Sequence, residues 1–415
     1  MKGVFVILDG VADEPCTVLK GLTPLEYAKT PNLDYFASMG KIGRCFPIAE
    51  GVAPQSSSGI ISLFGEDYKK ISRGVLEALG AGVELNGGDL ALRCNFSTID
   101  DLQSLKLVDR RAGRTLTTKE AKMLSEEVNS KVKLPYQFEL IPTIGHRAVL
   151  VFRGVFSSHF SNVDPDYADG VSVSSGSRVK LAEPYDDGSL TKLSADLVDT
   201  FVRKSHLILA NSKVNAIREK KGFYSANFLL CRDPGRKNYL SPKLLGKWMG
   251  FGYMPLEIGI TKYFGMHLST FAYPIFKDID SYAHLNEGLE LAVKNAIGML
   301  KKYSDSFDYF YIHFKETDIP GHDNKPLDKV RLIELLDRDF FGQLRDLFTG
   351  KEVRLVVTAD HTTSCRAKAH TSGAVPVLFY DSSKPSGMNH RFTEKDASIG
   401  KVYSGRRILK ETLFF

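Results

Sequence analysis

Five consecutive apolar residues, Val4-Phe5-Val6-Ile7-Leu8, lie between Gly3 and Asp9-Gly10 with no polar alternation. A short unbroken apolar run closed by turn residues predicts a strand buried on both faces, as in a parallel sheet. Tyr309 to Phe314, Val353 to Thr358 and Val375 to Tyr380 repeat the pattern. Helix-length patterns lie between them. Glu287 to Lys302 sets Leu289, Leu291, Ala292, Ala296 and Leu300 on one side. Pro326 to Leu347 sets Leu327, Val330, Ile333, Leu336 and Phe340 on one stripe, with Pro326 at a first helical position. Ser56-Ser57-Ser58 precedes Gly59-Ile60-Ile61-Ser62-Leu63-Phe64. Hydroxyl residues heading an apolar run are a helix-start signal. Strands separated by helices predict an α/β fold with a mostly parallel sheet sandwiched by helices.

The texture changes over 70–249. Leu90 to Phe96 and Ala148 to Phe152 read as strands, and 118–128 and 190–204 as helices. Gly170-Val171-Ser172-Val173-Ser174-Ser175-Gly176-Ser177 reads as a mobile loop or linker. The expected organisation is a discontinuous core, 1–69 and 250–415, carrying an inserted α+β domain over 70–249.

Composition narrows the class. The chain has 415 residues, 43% hydrophobic and 25% charged, enough for a sizeable core and unlike a disordered or collagen-like chain. Its net charge of +6 is mild and no long basic block occurs, so nucleic acid is not an expected partner. Cys16, Cys45, Cys94, Cys231 and Cys365 are scattered, without a C-x-x-C spacing. That argues against a disulfide framework or a structural zinc site and fits a reducing cytosol. The apolar run at Val4 is too short for a signal peptide, and no stretch of about 18 apolar residues exists to span a membrane. The expected location is cytoplasmic. The oligomeric state is not legible.

Chemistry gathers at strand ends. Asp9 closes the first strand, Asp318 and His322 follow Tyr309–Phe314, Asp360-His361 follow Val353–Thr358, and His370 precedes Val375. Ligands of open α/β sheets bind at the carboxyl ends of strands. A single Asp there is ordinarily a cap and a lone His a structural residue. Six such residues from successive strands point instead to metal. Oxygen and imidazole donors without thiolate suit Mn²⁺, Zn²⁺ or Mg²⁺. Six ligands divide between two ions about 3.5–4 Å apart, an arrangement that clamps phosphoryl displacement. Pro320-Gly321 predicts that Asp318 and His322 share a loop rather than one helix face. Ser56 heads a helix whose N–H groups favour phosphate, and beside a metal its hydroxyl is a candidate nucleophile; alone it is an ordinary cap. Arg93, Arg110, Arg111, Arg114 and His146-Arg147 supply guanidinium donors for carboxylate or phosphate, or else form a solvated basic face.

At these residues the chain resembles the archaeal-type, 2,3-bisphosphoglycerate-independent phosphoglycerate mutases of the alkaline phosphatase superfamily. The resemblance runs nearly end to end. Ile7-Leu8-Asp9-Gly10-Val11-Ala12-Asp13, Thr23-Pro24-Leu25-Glu26, Ala28-Lys29-Thr30-Pro31-Asn32-Leu33-Asp34 and Glu77-Ala78-Leu79-Gly80-Ala81-Gly82 carry it. So do Arg93-Cys94-Asn95-Phe96, Asp109-Arg110-Arg111-Ala112-Gly113-Arg114, Lys315-Glu316-Thr317-Asp318, Gly321-His322-Asp323 and Thr358-Ala359-Asp360-His361-Thr362-Thr363. It implies an alkaline-phosphatase-like core, with Asp318, His322 and His370 on one divalent ion. Asp9, Asp360 and His361 would hold the other, Ser56 bridging toward it as nucleophile. Mn²⁺ is the first expectation, with Zn²⁺, Co²⁺ and Mg²⁺ as alternatives. Arg93, Arg110, Arg111, Arg114, His146, Arg147 and Lys262 would grip substrate.

The implied reaction interconverts 3-phosphoglycerate and 2-phosphoglycerate through a phosphoserine, without 2,3-bisphosphoglycerate. The runner-up is a metal-dependent phosphatase or another phosphomutase of the superfamily. Two positions depart from the family pattern. Gln55-Ser56-Ser57-Ser58-Gly59 stands where Gly-Ser-Asp-Thr is usual, which leaves Ser57 and Ser58 as alternative nucleophiles. Ala369 stands where an acidic residue commonly precedes His370.

Overall fold

The structure is a computed structural model describing residues 1–165, 167–168, 171–172, 178–237, 242–273 and 284–414. The chain divides into two units, Met1–Tyr68 with Pro242–Phe415, and Lys69–Ser241. The second crossing comes earlier than the expected 249/250, because Trp248 already opens a strand of the first unit's sheet.

In chain order, the first unit begins with β1 (Gly3–Leu8), β2 (Lys41–Phe46) and α1 (Ser56–Leu63). The second contains α2 (Arg73–Gly80), β3 (Leu90–Ile99), β4 (Leu107–Asp109), α3 (Thr118–Lys131), β5 (Phe138–Pro142), β6 (Arg147–Phe152), α4 (Ser189–Leu209) and β7 (Phe228–Arg236). The first resumes with β8 (Trp248–Phe251), α5 (Pro255–Tyr263), β9 (His267–Ser269), α6 (Leu285–Tyr303), β10 (Tyr309–Phe314), α7 (Asp318–His322), α8 (Pro326–Leu335) and α9 (Gly342–Phe348). It ends with β11 (Arg354–Thr358), β12 (Thr362–Ser364), β13 (Ala369–Thr371), β14 (Val375–Asp381) and β15 (Lys401–Ser404).

The first unit's sheet has the order β9-β8-β10-β1-β11-β14-β2-β15. Every strand runs the same way except β14, which is antiparallel to both neighbours. Its exception has a simple cause. The chain between β11 and β14 carries the β12–β13 hairpin and no crossover helix, so it returns antiparallel. Every residue of β1 and β10 is buried, as their apolar runs require. Helices cover both faces. Phe64, at the end of α1, packs edge-on to Tyr311, and Phe340 packs edge-on to Phe314. Tyr311 and Phe314 are three apart on one strand and therefore face opposite ways.

Three helical expectations change. Asp318–His322 is one helical turn, not a loop, because Pro320 is its third residue and the first four N–H groups of a helix have no internal acceptor to lose. Pro326 to Leu347 is interrupted by a π-helical stretch, Leu336–Phe341, within which buried Asp337 accepts the N–H groups of Asn32 and Leu33. Leu327 and Leu291 are exposed rather than core-facing. Leu291 lies two residues, about 200°, round the helix from buried Leu289.

The second unit is a five-stranded antiparallel sheet, β4-β3-β6-β5 with β7 also paired to β3. Leu90, Leu92, Cys94 and Phe96 enter its core with Leu150, Phe152, Phe201 and Phe228. The intervening residues, Arg93 and Asn95, are buried on the opposite face. The expected loop over 170–177 lies outside the described residues, except that Val171–Ser172 pairs with Tyr167–Ala168. No described helix is long and apolar enough to cross a membrane.

Candidate active site

The carboxyl ends of β10, β1 and β11 are adjacent and level: Leu8 pairs with Phe314 and Ile7 with Thr358. This parallel register brings Asp9, Asp318, Asp360 and His361 to one edge from three stretches of sequence. Glycines permit the remaining approaches. A Cβ on Gly59 would lie 2.2 Å from the Asp360 carbonyl oxygen, so the helix that presents Ser56 seats against the end of β11 only with glycine there. Gly10, at φ +55°, would push a Cβ to 2.3 Å from Thr363 Oγ1.

Two donor sets result. In one, His322 Nε2 and His370 Nε2 face each other at 3.1 Å, and lie 3.4 and 3.6 Å from the Asp318 carboxylate. His322 Nδ1 lies 3.1 Å from the Lys368 carbonyl and His370 Nδ1 lies 2.8 Å from the Pro54 carbonyl. A carbonyl only accepts, so each Nδ1 carries the proton and each neutral ring turns an Nε2 lone pair toward the other. Two opposed lone pairs beside a carboxylate call for a cation.

The second set obeys the same logic. Thr363 donates its hydroxyl to Asp318 at 2.7 Å and accepts from His361 Nδ1 at 3.0 Å. His361 Nε2 therefore turns its lone pair toward Ser56 Oγ at 3.2 Å, Asp9 Oδ1 at 3.2 Å and Asp360 Oδ2 at 3.4 Å. Asp9 Oδ1 and Asp360 Oδ2 are buried without a hydrogen-bond partner. Orphaned carboxylate oxygens beside an imidazole lone pair fit a hard divalent cation. The His361 and His370 rings stack at 3.6 Å, so the sets adjoin. Burial lowers the basicity of His361, but Asp360 and Asp9 outweigh it and hold its pKa above the usual value, so a proton competes with a cation for Nε2. Burial works against the charge of Asp318, yet without a cation, protons on His322 and His370 would take its place and hold the Asp318 carboxyl well below the usual range.

The serines are distinguished by their partners. Ser58 Oγ accepts the Gln55 N–H and donates to the Gln55 carbonyl, both at 3.0 Å, so it is occupied in closing the helix start. Ser56 is the one beside His361.

The second unit gathers arginines. Burial, then Arg147, Arg111, Arg93 and Arg114, push the His146 pKa well below its usual value, so four guanidiniums act on one imidazole. Arg110 is engaged, holding both oxygens of Asp164 at 2.6 Å, with Arg232 on the same carboxylate at 2.9 Å. Burial, then Arg232 and Arg73, depress the Arg93 pKa, a mark of excess positive charge. Lys262 belongs to the first unit, exposed near the end of α5.

Glu77 partly balances that charge, 2.8 Å from Arg73 Nε and 3.1 Å from Arg93 Nε. Burial opposes its ionisation, but Arg93, Arg73 and Arg147 draw its pKa from 4.5 to about 2. A folded pKa below the unfolded one gives stability that is present above pH 4.5 and lost as pH falls toward 2. Glu77→Gln is expected to destabilise the fold by about 3 kcal/mol at pH 7, with the difference from wild type shrinking between pH 4.5 and 2. Denaturation midpoints at pH 7 and pH 3 check this.

The pattern of the family described as 2,3-bisphosphoglycerate-independent phosphoglycerate mutase matches residues 37–215. The protein of that name from Thermococcus kodakarensis is 33% identical over 97% of this chain and 93% of its own. This chain belongs to that family. The Aeropyrum pernix member is 34% identical over 100% of this chain and 99% of its own. Among solved structures, the PH0037 protein from Pyrococcus horikoshii is similar at TM-score 0.76 and 27% identity, covering 100% of this chain and 96% of that one. The cofactor-independent phosphoglycerate mutase from Thermoplasma acidophilum is similar at TM-score 0.59 and 26% identity, covering 100% and 99%.

In this family member a second layer, not evident from residue pattern alone, surrounds Asp9. Lys315 Nζ and His313 Nε2, the latter at 3.0 Å, both bond Asp9 Oδ2, which leaves Oδ1 for the donor set. Glu257, fully buried, lies 3.6 Å from Lys315. His313 and Lys315 on or beside an otherwise apolar buried strand were the available signal. Thr363, which ties Asp318 to His361, carried none beyond its place in a motif.

Proposed function

We infer that this protein interconverts 3-phosphoglycerate and 2-phosphoglycerate without 2,3-bisphosphoglycerate, holding the phosphoryl group on Ser56 between the two half-reactions. Family membership supports the activity. The convergence of His361 Nε2, Asp9 Oδ1, Asp360 Oδ2 and Ser56 Oγ carries the reading of the site.

Asp318, His322 and His370 would hold one divalent ion, and Asp9, Asp360 and His361 with Ser56 the other. Mn²⁺ is proposed, with Zn²⁺, Co²⁺ and Mg²⁺ accepted by the same donors. Such an ion lowers the pKa of the serine hydroxyl and neutralises charge on the transferring phosphoryl group. The chain's residues do the rest. Ser56 Oγ displaces the substrate oxygen from phosphorus, at a helix start whose N–H groups favour phosphate. The freed glycerate turns and its other hydroxyl takes the phosphoryl group back. A phosphatase admits water at that point; a mutase retains glycerate and excludes it. Arg93, Arg111, Arg114, Arg147 and Lys262 are assigned to the carboxylate and phosphate, with Arg110 held by Asp164 and His146 kept neutral among them.

The test uses protein stripped of metal, reloaded with Mn²⁺ and given 3-phosphoglycerate without 2,3-bisphosphoglycerate. 2-Phosphoglycerate is expected in large excess over free phosphate. Mostly free phosphate would make the protein a phosphatase that fails to retain glycerate.

A further inference from the structure

We propose that Asn95 recognises the free hydroxyl of the substrate, forming with Arg93 a subsite for a carboxylate bearing a neighbouring hydroxyl. This rests on the mutase reading and adds a specificity-determining residue to it.

The alternation of β3 puts Arg93 and Asn95 on one face, away from the apolar core that takes Cys94 and Phe96. Asn95 pairs in register with Arg147 of β6, and Arg93 with Arg232 of β7. Asn95 is 4% exposed, and its Oδ1 is buried with no hydrogen-bond partner. Arg93 is 5% exposed, and its Nε makes no hydrogen bond although Glu77 Oε1 is 3.1 Å away. An unpartnered buried acceptor thus stands two residues from a buried, ion-paired guanidinium on one strand.

Such an acceptor is costly unless something satisfies it. The surrounding guanidiniums donate only. The carboxylate and phosphate of a phosphoglycerate accept only, and suit the guanidiniums. Its free hydroxyl is the one group that brings a proton to donate, and Asn95 Oδ1 is an acceptor held among donors. A site built to pair a hydroxyl rejects the analogue lacking it, because its own polar atom is then left unpaired. Arg93 holds the carboxylate and Asn95 reads the hydroxyl.

The test compares binding of 3-phosphoglycerate with its 2-deoxy analogue, 3-phosphonooxypropanoate, by calorimetry on the full Mn²⁺-loaded chain. Ser56→Ala blocks turnover during the measurement. The hydroxylated ligand is expected to bind about tenfold tighter. Adding Asn95→Ala should bring the two within about twofold, through weaker 3-phosphoglycerate binding alone. Asn95→Asp keeps an acceptor, so it should weaken both ligands and keep the preference. A preference near one in the Ser56→Ala protein overturns the proposal whether or not any Asn95 variant folds. So does a preference that survives Asn95→Ala or vanishes in Asn95→Asp. A general packing defect would weaken both ligands alike. Failure of the mutase reading shows separately, as wild-type protein that makes no 2-phosphoglycerate. Turnover with an unaltered ligand ratio removes only the role of Asn95.

Discussion

Ser56→Ala is expected to lower turnover by at least about a thousandfold while leaving fold and metal content intact. The side chain is 4% exposed, heads an eight-residue helix, and places Oγ 3.2 Å from His361 Nε2. Loss of one hydroxyl there removes the phosphoryl acceptor but no carboxylate or imidazole donor. Ser57→Ala and Ser58→Ala should stay within about tenfold of wild type, the latter losing a helix-start hydrogen bond of about 1 kcal/mol. Initial rates for the three variants, with metal analysis and circular dichroism on each, decide the matter. Full activity in Ser56→Ala would move the nucleophile to a neighbouring serine or remove the covalent step.

The second large effect is expected from Asp360→Asn, which is isosteric. Asp360 Oδ1 accepts the Gly10 N–H at 3.1 Å, while Oδ2 has no hydrogen-bond partner and faces His361 Nε2. An amide that keeps its oxygen on Gly10 must turn its NH₂ toward the donor set, setting a donor where a cation needs an acceptor. Affinity for one of the two proposed ions should fall by about a hundredfold or more, and turnover by orders of magnitude. Metal titration followed by calorimetry reads the first effect and the coupled assay the second. Two tightly bound ions per chain in a fully active variant would break the assignment of this donor set.

Much of this architecture is legible in local pattern. The apolar run over 309–314 is β10 from end to end, and that over 4–8 is β1 less its first residue. A strand buried on both faces leaves no room for polar alternation, so its limits are written in composition. The serine cluster marks a helix start for an equally local reason. The proposed site residues are legible where they follow such strands: Asp9, Asp318, Asp360 and His361 stand at ends that the sheet then makes adjacent.

Other features depend on partners distant in sequence. The single turn at Asp318–His322 defied the expected effect of Pro320 because that residue's missing N–H falls where a helix uses none. The antiparallel course of β14 followed from a hairpin in place of a helix. Lys315 and His313 became partners of Asp9 only through parallel pairing of strands about 300 residues apart, and Asn95 met Arg147 only across β3 and β6. By itself the sequence determined which strands are buried, where the serine helix begins and which strands end in carboxylate and imidazole side chains, because burial periodicity and turn chemistry act over a few residues. The tertiary structure decided which lone pairs face one another, which serine meets His361 and which buried atoms lack partners, because strand order and register set those distances.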